Sequence, residues 1–218
     1  MVKTAKYLQQ LKQEGLIRHV SVTNFDTDHL KMLVDAGVEI TSCQAQYSLF
    51  DRRVEKRLQA YCKENDIPLI CYGTLAGAFL SQRYLGKKED EIVPETRSQV
   101  KYLQVIEDSL GWDGYQKLLL LLKEIADKHN VDVSQVATRF ILQQEAVAAA
   151  VIGVRNSRHV DDNEKIFSFS LDEEDLNKLR CFIDRYPNLP GEPFEMERTV
   201  GSRYRNIMHM NINEEEQN

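Results

Sequence analysis

The sequence predicts an α/β fold built on a parallel sheet, and three observations predict it. Four short runs rich in β-branched and apolar residues alternate with segments of helical periodicity, the order that parallel strands joined by helical crossovers produce. Each run ends on hydroxyl, amide or aromatic side chains, which puts hydrogen-bonding groups at the C-terminal edge of the sheet, where α/β folds hold ligands. Neither G-x-G-x-x-G nor G-x-x-x-x-G-K-[ST] occurs. A doubly wound nucleotide-binding sheet or a P-loop would therefore lack its phosphate loop, and a (β/α) barrel fits better.

The elements follow in order. Tyr7, Leu8 and Leu11 recur at spacings of three and four and mark a helix over residues 6–13, closed by Gly15. Residues 17–22 read as a strand that stops on Thr23 and Asn24. Asp26 or Thr27 can cap the next helix, with Leu30, Leu33 and Val34 inward and Gly37 at its end. Residues 38–44 form the second predicted strand, 52–65 a helix burying Val54, Leu58, Tyr61 and Cys62, and 67–72 the third strand. A long charged segment, 73–114, intervenes, interrupted by Gly86, Pro94 and Gly111.

Helix returns with Tyr115, Leu118, Leu119, Leu122, Ile125 and Ala126, a stripe that reads as core rather than as a cofactor site. Ser134 is expected to cap a second helix running to 144. The apolar run 146–152 has the character of a parallel strand buried on both faces. Asn156 or Ser157 caps a further helix, and Ser170-x-x-Glu173 is a capping box for the last clear one, 172–184. The remainder carries Pro187, Pro190 and Pro193 and ends in acidic residues. The domain is expected to span 1–205 and a disordered acidic tail 206–218.

Composition narrows the class of function. The chain has 218 residues, 42% hydrophobic and 28% charged, with a net charge of -6. Such a balance suits a single globular domain and argues against a nucleic-acid partner, which requires a basic face. No apolar run approaches the roughly 20 residues of a membrane helix. The opening Met1-Val-Lys-Thr-Ala-Lys reads as an amphipathic helix, not a signal peptide. The four cysteines (43, 62, 71 and 181) form no C-x-x-C pair, and the five histidines lack paired spacing. The expectation is a reduced cytoplasmic protein with buried thiols and no metal site.

The chemistry concentrates at the strand ends. The first offers Thr23 and Asn24, the second Gln44, the third Tyr72 followed by Gly73-Thr74-Leu75-Ala76-Gly77, and the fourth Arg155 and Asn156 ahead of a helix start. A cation beside free helix N–H groups suits a phosphate, and an aromatic ring among carboxamides suits a flat amide-bearing ring. Taken singly, Asn24 reads as a turn residue, Gln44 as a satisfied buried amide, Tyr72 as packing at a barrel mouth and Arg155 as a surface cation. Their common position at one edge weakens those plain readings together.

The pieces Gly15-Leu-Ile-Arg-His-Val-Ser-Val-Thr-Asn-Phe25, Gln44-Ala-Gln-Tyr-Ser-Leu-Phe-Asp51, Tyr72-Gly-Thr-Leu-Ala-Gly-Ala-Phe-Leu-Ser81 and Val151-Ile-Gly-Val-Arg-Asn-Ser157 together resemble the aldo-keto reductases. The resemblance runs from Leu8 to about Arg205 and is to the C-terminal part of that family, strands five to eight of its (β/α)8 TIM barrel. Leu110-Gly-Trp112 is similar to a subgroup with a longer loop after strand seven. The resemblance implies NADP (NADPH) as cofactor and a small-molecule aldehyde or ketone as substrate. It implies that Thr23, Asn24 and Gln44 hold the nicotinamide carboxamide and that Tyr72 stacks on the ring. Gly73, Thr74, Leu75 and Gly77 would follow the pyrophosphate, and Arg155, Asn156, His159, Asp162 and Asn163 would surround the 2′-phosphate and adenine.

Two departures bear on this. Thr23 stands where the family usually has Ser, which keeps the hydroxyl. His159 stands where several members have Arg, leaving Arg155 as the main cation for a 2′-phosphate. The family's catalytic Asp, Tyr, Lys and His come from strands one to four, and none has a matching position here, so no catalytic residue is assigned. The expectation is a half-barrel, inactive alone, that is a truncated form of an enzyme, a natural short form that binds cofactor or a partner without chemistry, or one half of an assembled barrel. Its sheet edges would be open to self-association.

Overall fold

The computed structural model describes residues 1–154 and 156–207. Four strands, β1 (Val22–Thr23), β2 (Cys43–Gln46), β3 (Leu69–Tyr72) and β4 (Val147–Val151), form one sheet in the order β1-β2-β3-β4. Every pairing is parallel, as the alternation of elements requires. Thr23 lies opposite Gln44, Gln46 opposite Tyr72, and Tyr72 opposite Val151, so the four C-terminal ends share one edge.

The register separates the two faces. Val22, Cys43, Leu69, Ala45 and Cys71 point to one side and are buried, because the helices pack there. Thr23, Gln44, Ile70, Tyr72 and Val151 point to the other, and that face is only partly covered. Val151 is 47% exposed. β4 is thus not buried on both faces as its run of apolar residues suggested. It has one sheet neighbour among the described residues, and its alanines leave the outer side open.

Several other expectations shift. Leu16 and Ile17 donate their N–H groups back to Leu11 O and close the first helix, so the strand expected at 17–22 begins later. Hydrogen bonds to the second strand then run from Val20 to Asn24: Thr41 N to Val20 O at 2.8 Å, Val22 N to Ser42 O at 3.1 Å and Asn24 N to Gln44 O at 2.9 Å. The second strand extends past Gln44 to Gln46, because β3 pairs with it that far.

The helices are α1 (Val2–Gln13), α2 (Thr27–Asp35), α3 (Leu58–Glu64), α4 (Arg97–Ser109), α5 (Gly111–His129), α6 (Val133–Leu142), α7 (Arg158–Glu164), α8 (Glu173–Ile183) and α9 (Glu195–Arg198). The helix expected over 52–65 divides into a 3-10 turn, Arg53–Glu55, and α3, with Arg52 and Arg53 each drawn into a separate ion pair. α4 lies within the segment read as irregular. Its buried Tyr102, Val105, Ile106 and Ser109 keep helical spacing, a signal the sequence carried.

Two caps move by two residues. Asp132, not Ser134, caps α6 in a box with Gln135, and Asp172, not Ser170, caps α8 with Asp175. Asp26 caps α2, its carboxylate accepting from His29 N at 2.8 Å. Cys43, Cys62 and Cys71 are buried as expected, whereas Cys181 on α8 is exposed. All four thiols are free.

The segment after α8 is where the structure departs furthest from the sequence reading. Its prolines introduce a strap, residues 187–207, that returns across the sheet's C-terminal edge through α9. Of the tail expected from 206, residues 208–218 lie outside the described residues.

Candidate functional site

Two halves of a candidate site meet at Tyr72 and Gly73. In the first, Asn24 ends β1 with φ +58, a left-handed backbone that Asn tolerates better than most residues. That conformation turns its side chain towards β3, where the Tyr72 hydroxyl donates to Asn24 Oδ1 at 2.6 Å. The bond fixes the amide so that its N–H2 side faces away from the phenol. Burial pushes the Tyr72 phenol well above its ordinary pKa, and the carboxylates of Glu197 and Asp51 push the same way. Thr23 is exposed beside this pair and Gln44 half-buried, the two standing opposite each other in register.

The second half is a cleft of about 590 Å3 between the loop after β3 and the helices α6 and α7. Gly73, Thr74, Leu75 and Gly77 form one wall, and His159, Asp162 and Asn163 the opposite one. Seven of the residues singled out in the sequence therefore come together in one cleft. Asn156 is exposed in the turn before α7. Arg155 lies outside the described residues. Sequence reasoning did not assign to the site the α6 cap Asp132 or the α6 residues Ser134 (expected only as a cap), Gln135 and Thr138 that complete the floor. Gln135 braces it, donating from Nε2 to Asp162 O at 2.8 Å while its Oε1 accepts from Asp132 N at 2.7 Å.

One atom in the cleft is unsatisfied. Thr74 is 1% exposed, and its hydroxyl has no hydrogen-bond partner among the described residues. A buried polar group without a partner costs about 1–3 kcal/mol, and a ligand oxygen in the cleft would relieve that cost. The neighbouring glycines serve packing. A Cβ on Gly73 would stand 2.0 Å from the Tyr102 hydroxyl, so α4 approaches this loop only because Gly is there. Glycine-backed main chain and an unpartnered hydroxyl thus stand together on this wall of the cleft.

A buried ion network underlies the edge, and it joins residues far apart in sequence. Arg53 pairs with Asp51 at 2.8 Å and with Glu197 of α9 at 3.1 Å. Lys101 of α4 pairs with Glu197 at 2.8 Å and donates to Gln46 Oε1 at 2.6 Å, while Gln46 Nε2 donates to Asp51 Oδ2 at 2.5 Å. Two carboxylates face two cations, so the cluster balances its own charge. Burial would raise the Glu197 pKa, but Arg53 and Lys101 prevail and lower it to about 2. This cover explains why Gln46 is buried when its face-mates Gln44 and Tyr72 are not. No local sequence pattern marks the network, because its members come from three separate segments.

Among the described residues no group of His, Cys, Asp and Glu is arranged to hold a metal ion. No helix among them is long and apolar enough to cross a membrane.

Comparison with known proteins places this geometry. The sequence profile of the Aldo/keto reductase family matches residues 1–184. Pyridoxal reductase, chloroplastic, of Arabidopsis thaliana is 29% identical over 185 residues, covering 83% of this chain and 47% of that protein. The NADH-specific methylglyoxal reductase of Escherichia coli is 23% identical over 186 residues, covering 83% of this chain and 53% of that protein. Among solved structures, the glycerol dehydrogenase of Gluconobacter oxydans superposes with a TM-score of 0.73 at 23% identity, over 88% of this chain and 57% of that one. An aldo/keto reductase of Klebsiella pneumoniae, solved with NADP and acetate, gives a TM-score of 0.61 at 20% identity, over 88% and 56%. At such identities the structures show a shared fold. The chain spans about half the length of the curated relatives it matches.

Proposed function

The chain belongs to the aldo/keto reductase family, and on that premise we propose that it binds NADPH along the C-terminal edge of its sheet. In this reading it forms the cofactor-binding half of an oxidoreductase that interconverts aldehydes or ketones with alcohols. The observation that carries the reading is continuity. Tyr72, tied to Asn24, runs directly into the Gly73–Gly77 wall of the cleft, so one extended molecule can touch both halves of the site.

The residues take distinct roles. Asn24 and Gln44 orient a carboxamide, with the Thr23 hydroxyl beside them, and the Tyr72 ring gives a flat face. Thr74 and the loop backbone meet the diphosphate, and His159, Asp162, Asn163 and Asn156 receive the adenosine end. Arg155 supplies the cation for a 2′-phosphate. NADPH, when bound, supplies the hydride. The preference for NADPH over NADH rests on Arg155, because His159 is a weaker phosphate partner than a guanidinium.

Carbonyl reduction also needs a proton for the developing alkoxide, from an acid with a pKa near the working pH. Tyr72 does not suit, since its proton is engaged by Asn24 and burial raises its pKa further. No residue of this chain matches the family's Asp, Tyr, Lys and His. We therefore place the acid on complementary (β/α) units, in the same polypeptide or another, and expect residues 1–218 alone to bind cofactor without ordinary turnover. The free thiols suit a reducing, cytoplasmic setting.

The test is to express residues 1–218, titrate NADPH and NADH by calorimetry, and follow NADPH oxidation with a panel of aldehydes. Cofactor binding with turnover far below about 1 s⁻¹ is expected. Failure to bind either dinucleotide would remove the reading, and turnover at an ordinary rate would mean that these residues contain the acid.

A second reading is favoured by the open edges. β1 and β4 each have one sheet neighbour among the described residues, and Val151 and Val154 are about half exposed. Unpaired edges recruit other strands. Sedimentation tests this reading: a monomer at all concentrations would exclude self-association.

A further inference from the structure

Resting on the cofactor reading above, we propose that Arg198 is a positioning residue for the nicotinamide end of the site. It acts through Asn24. The Arg198 Nη2 donates to the Asn24 main-chain oxygen at 2.5 Å, across 174 residues of sequence. Three elements thereby hold three of the four polar groups of Asn24, leaving the side-chain N–H2. Its N–H donates to Gln44 O at 2.9 Å, its Oδ1 accepts from Tyr72, and its carbonyl accepts from the strap.

The carbonyl contact matters because Asn24 sits in the left-handed region. That backbone is disfavoured for a residue with a Cβ, though less for Asn than for most, so an unrestrained Asn24 can relax towards the extended conformation of β1. Such a rotation would swing the carboxamide off the site. A charge-assisted bond to the carbonyl is strong enough to oppose it.

Arg198 is itself well held. Its guanidinium lies 3.7 Å from the Asp26 carboxylate and 5.1 Å from the Phe194 ring centroid, and its own carbonyl accepts from Arg205 Nη1 at 2.7 Å. The strap is anchored on the N-terminal side as well. Glu197 enters the buried network, and Glu192 accepts from Thr27 N at 2.7 Å and pairs with Arg57 at 3.0 Å. Replacing Arg198 therefore removes its bond to Asn24, together with the Asp26 and Phe194 contacts, from a strap that Glu192 and Glu197 keep docked.

The experiment compares two ligands in R198M and R198K. NADPH spans both halves of the site, whereas 2′,5′-ADP reaches only the cleft. R198M is expected to weaken NADPH about tenfold, the scale of a lost charge-assisted hydrogen bond, to leave 2′,5′-ADP unchanged and to lower the urea midpoint only slightly. R198K should recover part of the loss. The Asn24 side-chain amide resonances, read by 15N NMR in the free protein, should move in R198M. Equal weakening of both ligands would mean that the strap merely supports the fold, and unchanged NADPH affinity would mean that Asn24 holds itself; either overturns the proposal. Should the wild type bind neither ligand, the cofactor reading fails by itself. The Asn24 resonance then decides the positioning role, and an unmoved signal overturns it.

Discussion

The Tyr72 hydroxyl and the Asn24 carboxamide oxygen lie 2.6 Å apart and join the ends of β3 and β1 across the intervening β2. Tyr72→Phe keeps the ring and removes the donor. It is expected to cost about 0.5–1.5 kcal/mol of stability, the net worth of one such bond, and to weaken NADPH several-fold by freeing Asn24. Tyr72→Ala also removes the flat face and should weaken NADPH further. Urea denaturation and calorimetric titration measure the two effects separately.

Glu197 contributes to the acid sensitivity of the fold. Its pKa falls from an ordinary 4.5 to about 2 because Arg53 and Lys101 outweigh the cost of burial. A lowered carboxyl pKa stabilises the folded state above the unfolded value, and that stability is lost as pH falls from about 4.5 towards 2. Glu197→Gln should flatten this part of the pH–stability curve. At pH 7 it leaves Arg53 short of one buried partner and is expected to cost about 3–5 kcal/mol. A variant as stable as the wild type would show that the network contributes nothing.

Thr74 distinguishes a binding hydroxyl from a packing one. Thr74→Val replaces the unpartnered Oγ1 with a methyl group. The free protein should be unchanged or more stable by up to about 1 kcal/mol, since a buried unsatisfied group is removed. NADPH affinity should fall, and Thr74→Ser should retain it. A less stable Thr74→Val with undiminished binding would take Thr74 out of the site.

Gly73→Ala tests the approach of α4 to the loop after β3. The new Cβ would meet the Tyr102 hydroxyl at 2.0 Å, and the φ of +72 disfavours any side chain. A loss of at least about 2 kcal/mol is expected from strain and repacking combined. Adding Tyr102→Phe removes the closest atom and should restore part of that loss, a coupling that a double-mutant cycle reads directly.

Much of the fold was legible because helices and buried strands advertise themselves by period. The face of Leu118, Leu119 and Leu122, the run of the third strand and the alternation that makes the sheet parallel are local patterns, and they survive into the structure. Strand ends and caps were read less well, since each depends on where a neighbour stops pairing. Gln44 is not the end of β2 because Tyr72 on β3 is still opposite Gln46.

The sequence by itself determined a parallel α/β chain of the aldo/keto reductase family, with polar groups at each strand end. A hydroxyl, an amide or a Gly-rich turn after an apolar run is visible within ten residues. Tertiary structure alone decided which of these groups meet. It drew Gly73–Gly77 and His159–Asn163 to one cleft, tied Tyr72 to Asn24, and returned Glu197 and Arg198 to Arg53 and Asn24. Charge pairing of this kind carries no sequence period, because a salt bridge depends on distance in space and any two opposite charges satisfy it. Only the docking of the strap across the strand ends selects these pairs from the 28 basic and 34 acidic residues of the chain.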